Sequence, residues 1–148
     1  MREETVKNID NYLGAHNLLS LATISVEGLP MAHSVEYINE GHTVFFISHR
    51  GTRKIANIKQ NSKVAYTVDE DYQDWSLIQG IQMMGHASFV EDKEEAGRLM
   101  GIYMNKFPQV ANFPAEMVNE MRLVKIEPFS ARYIDSTKGM GYTETIEY

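Results

Sequence analysis

The chain has 148 residues, of which 43% are hydrophobic, and it carries a formal net charge of −6 at pH 7. This length and composition are typical of one globular domain, which buries about two-thirds of the surface that its unfolded form exposes. The negative charge disfavours a general affinity for nucleic acid or anionic lipid, because both repel it at long range. The sequence has no cysteine, which excludes disulfides, thiol nucleophiles and cysteine-based metal sites and fits a reducing compartment.

The first residues lack the apolar core of a signal peptide, and no run approaches the roughly 18 apolar residues of a membrane span. We therefore expect a single cytoplasmic domain over 1–148 that has neither a membrane nor a nucleic acid as its partner. Any anion that it binds must meet a local basic site.

The first part of the chain predicts one helix followed by strands. Val6, Ile9 and Leu13 recur at spacings of three and four, which indicates an amphipathic helix within 1–17. Turn residues separate the β-rich segments that follow. This pattern predicts a meander of three adjacent antiparallel strands over 19–26, 31–38 and 43–48.

The middle of the chain predicts a short helix after Thr52, then a fourth strand and a long fifth strand over 63–68 and 77–90. Gly80 and Gly85 in the fifth strand are typical of bends or bulges that let a sheet curl. Asp92 is the predicted N-cap of the next helix, which ends before Pro108.

After this helix, the sequence predicts a short helical segment over 115–121 and a final pair of strands over 122–128 and 130–135. Residues 136–148 are rich in Gly and Thr, and we expect them to form a C-terminal tail. The fold class is therefore mainly β with marginal helices. An antiparallel barrel is favoured, closed so that no long edge is exposed.

The residues that open the short helix after Thr52 are the most informative for function. Thr52, Arg53 and Lys54 follow a turn at Gly51, which places a hydroxyl and two cations where helix N–H groups are exposed. Because a helix N-terminus is partially positive, each cation there costs about 0.3–1 kcal/mol unless an anion shares the site. A phosphate would offset this cost. The alternatives are a solvated pair of cations and a Thr52 that serves only as an N-cap.

No catalytic triad, carboxylate pair or glycine-rich dinucleotide motif is apparent. The five histidines are distributed among separate elements without the short spacing of a metal pair, so no metal site is expected. A bound cofactor would therefore carry the chemistry.

The segment order is LATIS, PMAHSVEY, VFFISHRGTRKIANIKQNSKVAY and GIQMMGHASFVED. It resembles the pyridoxamine 5′-phosphate oxidase-like family of FMN-binding split barrels, over roughly residues 5–135. The most specific motif is Thr52-Arg53-Lys54, followed by Asn57, Asn61 and a short strand. The resemblance implies an antiparallel split β-barrel that forms a homodimer with FMN at the subunit interface.

The resemblance also implies which residues hold the FMN phosphate. Arg53 and Lys54 match the family's phosphate-binding Arg and Lys, and Thr52 matches the hydroxyl that precedes them. Ile47 and Ser48 match the end of the preceding strand, which belongs to the same site.

The flavin ring would lie along the strand that contains His33, Ser34 and Val35, with most contacts made by backbone groups. A Gln from the partner's fifth strand often completes the family's site, and Gln79 and Gln82 are both candidates for it. His33 has an alternative role as a barrel residue held by a hydrogen bond.

The sequence departs from the true oxidase. Ala32 and Tyr37 stand where the oxidase has an Arg and a Lys, so two basic cofactor contacts of the oxidase are missing. The oxidase's C-terminal extension with its Trp and Arg also has no counterpart. Pyridoxamine phosphate is therefore not the expected substrate.

The expected function is an FMN-dependent oxidoreductase that passes electrons from a reduced nicotinamide donor to a small acceptor. The alternatives are a flavin-binding electron carrier without its own substrate, a deazaflavin-dependent protein, and a haem protein with His33 or His86 as ligand.

Overall fold

The computed structural model describes residues 2–148. Within them, the four α-helices are α1 (Arg2–Gly14), α2 (Arg53–Gln60), α3 (Lys93–Lys106) and α4 (Ala115–Asn119). The eight strands are β1 (Leu18–Ile24), β2 (Pro30–Glu36), β3 (Ile38–Glu40), β4 (Thr43–His49), β5 (Lys63–Asp69), β6 (Gln79–Phe89), β7 (Met121–Asp135) and β8 (Thr143–Glu147). Short 3₁₀ turns cover Trp75–Leu77, Pro108–Asn112 and Ser136–Lys138.

The strands form one antiparallel sheet with the order β2-β1-β5-β6-β7-β4-β3, and β8 pairs with β7. β2 and β3 lie at opposite ends of this order, yet only Tyr37 separates them in the chain. The sheet must therefore curl until its two ends meet at Tyr37. This geometry is a split barrel, and it confirms the predicted mainly β fold class.

Tyr37 fixes the point where the sheet closes. Its side chain is fully buried, and its hydroxyl donates to the carbonyl oxygen of Leu13 at 2.6 Å. The Tyr37 N–H donates to the carbonyl oxygen of Asn17 at 3.1 Å. These two bonds hold the chain against the end of α1 while it changes strand partner.

The core has two parts because the curled sheet buries both of its faces in places. The inner face of the barrel encloses the larger cluster, which includes Leu19, Leu21, Phe46, Tyr66, Ile81 and Val124. On the outer face of β4, α3 and the following 3₁₀ turn cover a second cluster formed by Ile38, Phe45, Leu99, Tyr103, Phe107, Val110 and Leu123. Alternating side chains of β4 thus contribute to both clusters.

The predicted helices are present with small shifts at their ends. Asp92 is the N-cap of α3, where its carboxylate accepts from the N–H of Glu95 at 3.3 Å. Pro108 lies just beyond the end of α3, as expected. None of the helices in residues 2–148 combines the length and the apolar character that a bilayer crossing requires.

The predicted meander is wrong in its third strand. β1 pairs with β2, but β4 pairs with β3 and β7. The cause is the change of partner at Tyr37, which divides the segment predicted as a single strand. The barrel is also not a complete ring of hydrogen-bonded strands, because the path of paired strands ends at β2 and β3. The chain at Tyr37 connects these two ends.

The C-terminal third also differs from the prediction. β7 is one continuous strand, although it contains Pro128, which lacks an N–H for the ladder. The structure accommodates Pro128 opposite a shift of register between Met84 and Gly85. The predicted tail in fact contains a 3₁₀ turn and the strand β8, whose Ile146 is buried in the main core.

We predict that Gly85→Ala destabilises the fold by about 1–3 kcal/mol, the usual cost of overpacking. A Cβ at this position would overlap the carbonyl oxygen of Glu127 in the neighbouring strand. Gly97→Ala is the control, because a Cβ on this residue of α3 meets nothing within 4 Å and alanine favours a helix. Urea unfolding measures both variants, and a Gly85→Ala protein as stable as the parent would contradict this account of the bulge.

Candidate functional site

The candidate site begins where β4 ends and α2 starts. The hydroxyls of Ser48 and Thr52 lie 3.1 Å apart, and Thr52 also donates to the carbonyl oxygen of His49 at 3.0 Å. The N–H of Gly51 donates to Nδ1 of His49 at 2.9 Å. These bonds hold a tight turn, and they direct the Thr52 hydroxyl back toward β4.

As a result, the N-terminus of α2 has no side-chain cap. Its first turn contains no acidic residue and begins with Arg53 and Lys54. Neither side chain forms a hydrogen bond or a salt bridge with any residue in the part of the chain that the structure describes. Uncapped N–H groups and two unpaired cations together form a local site suited to an anion.

The two cations have different surroundings. Arg53 is exposed and borders a cavity of about 530 Å³ between α2 and the turn that joins β1 to β2. In that turn, a backbone hydrogen bond and the Ser25 hydroxyl lower the pKa of Glu27, and Arg53 contributes less. Lys54 is half-buried, and burial lowers the pKa of its ammonium group. A bound anion would therefore compensate the desolvation of Lys54.

Lys54 lies close to His33 of β2. Burial lowers the pKa of His33, and the positive charge of Lys54 lowers it further. Nε2 of His33 is 2.8 Å from the hydroxyl of Thr23, which also accepts a 2.9 Å hydrogen bond from the side-chain amide of Asn57. Polar side chains therefore connect α2 to β2 directly beside the cations.

The structure brings the predicted phosphate residues and His33 together at one end of the barrel, but it separates several other predicted residues. The side chain of Val35 is buried in the main core, and Ile47 packs against the second cluster. Only backbone groups of these two residues could face a ligand on the strand edges. Ser34 is exposed on the outer face of β2.

The outer face of the sheet contains a groove of about 610 Å³. Small or apolar side chains line much of it, including Ala22, Ala32, Ala65 and Met84. The two longer polar side chains are Gln82 and Arg132. Because side chains alternate along β6, Gln82 lies on this face and Gln79 does not. The carbonyl oxygen of Gln79 instead accepts from the hydroxyl of Tyr12 at 3.1 Å.

A smaller cavity of about 220 Å³ lies on the outer face of β4, beneath the end of α3. Tyr103, Phe107 and Phe113 supply aromatic walls, and Glu36 is the charged residue in its lining. The cavity therefore has no cation that could bind a phosphate.

Thr23 was not predicted to belong to the site, and Asn57 was predicted only as part of the motif that begins at Thr52, without a contact of its own. The available signal was the position of Asn57 between Ile55 and Ile58 in α2, since a polar residue among buried positions needs hydrogen-bond partners. Those partners come from strands that are distant in sequence, so the pattern alone could not identify them.

Comparisons with known proteins agree with this architecture. The sequence model of the family described as Pyridoxamine 5′-phosphate oxidase matches residues 5–135, and the chain therefore belongs to this family. A UPF0306 protein of Klebsiella pneumoniae is 29% identical over 140 residues, covering 93% of this chain and 90% of the relative.

Solved structures show the same fold at low sequence identity. A conserved hypothetical protein of Mycobacterium tuberculosis gives a TM-score of 0.78 at 19% identity, covering 89% of this chain and 85% of the other. The haem storage protein of Vibrio cholerae gives a TM-score of 0.69 at 18% identity, covering 86% and 89%. At this distance the likeness concerns the fold alone.

We predict that Lys54→Met raises the pKa of His33 toward its ordinary value, because the substitution removes the neighbouring positive charge. The pKa of His33 is lower in the folded protein than in the unfolded chain, where it is roughly 6.5. The contribution of His33 to stability is therefore present when the pH is above the unfolded pKa and is lost as the pH falls through the folded pKa. Lys54→Met should therefore weaken the loss of stability in mild acid. NMR titration of the histidine C2 protons measures the shift.

Lys59→Met is the matched control for this prediction, because Lys59 is exposed in the last turn of the same helix. It should leave the titration of His33 unchanged. Equal effects of the two substitutions would mean that the proximity of Lys54 does not govern His33.

Proposed function

We propose that this protein binds FMN and acts as an oxidoreductase, taking electrons from a reduced nicotinamide donor and passing them to a small acceptor. The observation that carries the proposal is the uncapped N-terminus of α2, where Arg53 and Lys54 have no ion-pair partner among residues 2–148. Thr52 lies beside them, and the chain belongs to the family described as Pyridoxamine 5′-phosphate oxidase.

In this proposal the residues of the chain bind and orient the cofactor. Arg53 and Lys54 would hold the phosphate with the first N–H groups of α2, and the backbone of β2 around His33 would lie along the ring. β2 pairs only with β1, so its other edge has backbone groups that a ligand can reach. Bound FMN supplies the redox chemistry.

We also propose that two copies of the chain pair through the outer groove. The face around Ala22, Ala65 and Met84 is lined by small and apolar side chains, and Met84 is 49% exposed. Gln82 on this face could then reach the cofactor of the partner subunit. An exposed surface of this character is typical of an interaction site.

The acceptor would be a small molecule without a phosphate group. The cavity beneath α3 borders both β2 and β4 through Glu36 and Ile47, and its lining combines aromatic rings with a carboxylate. A phosphate ester would be repelled there by the carboxylate of Glu36.

A haem protein is the second candidate, because one neighbour in fold is a haem storage protein. His86 is exposed on the outer face of β6, and its ring nitrogens have no hydrogen-bond partner in the described chain. An absorption spectrum of the protein loaded with each candidate distinguishes flavin, deazaflavin and haem. Turnover of a nicotinamide donor with an added acceptor then distinguishes an enzyme from an electron carrier.

We predict that the double variant Arg53→Ala/Lys54→Ala weakens FMN binding by about 10²–10⁴-fold. Each lost charged hydrogen bond contributes roughly 1.5–3 kcal/mol, and 1.4 kcal/mol corresponds to a factor of ten. Quenching of flavin fluorescence measures the affinity.

The control is Lys59→Ala/Lys63→Ala, which removes the same number of positive charges from exposed positions nearby. This variant should bind FMN as the parent does. Unchanged affinity in the Arg53/Lys54 variant would remove the phosphate site from α2.

We predict that Ala65→Arg converts the dimer to monomers, because a bulky cation in the small-residue groove cannot be accommodated at a packed interface. Sedimentation velocity measures the change, and FMN affinity should fall with it. Ala111→Arg, on an exposed 3₁₀ turn, is the control and should leave both properties intact. A parent protein that is monomeric and still binds FMN would exclude a shared site.

A further inference from the structure

A chain of three polar side chains joins α2 to β2 beside Lys54. Nδ2 of Asn57 is 2.9 Å from the hydroxyl oxygen of Thr23, and that oxygen is 2.8 Å from Nε2 of His33. Asn57 is 5% exposed and Thr23 is 1% exposed. Water has little access to these groups, so their hydrogen bonds must be satisfied within the chain.

The side-chain amide of Asn57 can have only one orientation here. Nδ2 also lies 3.3 Å from the sulfur of Met31. A thioether sulfur accepts hydrogen bonds and cannot donate them. The amide nitrogen, and not the amide oxygen, must therefore face both Met31 and Thr23, and the Thr23 oxygen accepts from Asn57.

This orientation determines the direction of the next hydrogen bond. The Thr23 hydroxyl still has its own proton to donate, and Nε2 of His33 is the acceptor within reach among the described residues. A nitrogen that accepts carries no proton, so the proton of the neutral ring must be on Nδ1. Nδ1 has no hydrogen-bond partner in the described chain.

We propose that Asn57 and Thr23 are positioning residues, which hold His33 as the neutral Nδ1–H tautomer so that it donates a hydrogen bond to the ligand bound at Lys54. The identity of that ligand rests on the proposed function, but the tautomer does not. A protonated His33 would leave the Thr23 hydroxyl proton without an acceptor in a buried place, and Lys54 opposes the same protonation. His33 therefore acts as a hydrogen-bond donor and not as a cation.

The ring nitrogens of ¹⁵N-histidine-labelled protein report the tautomer directly. At about pH 8, above the ordinary histidine pKa of roughly 6.5, the His33 signals should show a protonated Nδ1 and an unprotonated Nε2. His33→Gln assigns these signals among the five histidines. A proton on Nε2 in the parent protein overturns the proposal.

Substitutions of Asn57 and Thr23 test the chain itself. In Asn57→Asp the carboxylate only accepts, so Thr23 should donate to it and the His33 proton should move to Nε2. Asn61→Asp places the same charge at the end of the same helix and should leave the tautomer unchanged. Thr23→Ser should keep the Nδ1–H form, and Thr23→Val should lose it. An Asn57→Asp spectrum like that of the parent contradicts the role of Asn57.

A titration with FMN tests the donor role. Thr23→Val should bind FMN about tenfold more weakly than Thr23→Ser, a loss expected for one hydrogen bond, with circular dichroism verifying that both are folded. Equal affinities would overturn the donor role. If the parent does not bind FMN, the proposed function fails, while the tautomer of the parent and of Asn57→Asp still decides the positioning role.

Discussion

Between β2 and β3 the chain changes its strand partner within one residue, Tyr37, whose buried hydroxyl is bonded to the end of α1. Because the two ends of the sheet meet there, the sheet must curl and enclose the main core. The same change of partner leaves one edge of β2 without a strand neighbour. His33 of the same strand lies close to Lys54 at the start of α2, so the closure of the barrel and the candidate site have a common structural origin.

The chemistry of the site follows from what the local structure leaves unsatisfied. The hydroxyl of Thr52 bonds back to β4, so the N–H groups of α2 remain available, and two cations stand beside them without partners in residues 2–148. The polar connection from Asn57 to β2 then aligns the helix with the strand edge. The uncapped start of α2, the unpaired edge of β2 and the ring of His33 are thus parts of one arrangement.

Local patterns predicted much of this molecule. Hydrophobic periodicity predicted α1 and α3, and the N-cap at Asp92 is confirmed. The positive charges at Arg53 and Lys54 predict an anion site, and this stays a prediction. Non-local pairing was less accessible. The sequence does not show that β4 pairs with β7 and not with β2, because this pairing depends on the packing of Tyr37 against α1. The partners of Asn57 were hidden for the same reason.

The pairing of β8 with β7 has a consequence for biosynthesis. Arg2 donates to the carbonyl oxygen of Glu147 at 2.8 Å, and Ile146 lies in the same core as Ile9. Contacts that span almost the whole chain form late, since distant segments must first be brought together at an entropic cost. A nascent chain that ends before β8 would expose core side chains, so protection from aggregation during translation depends on the synthesis of β8.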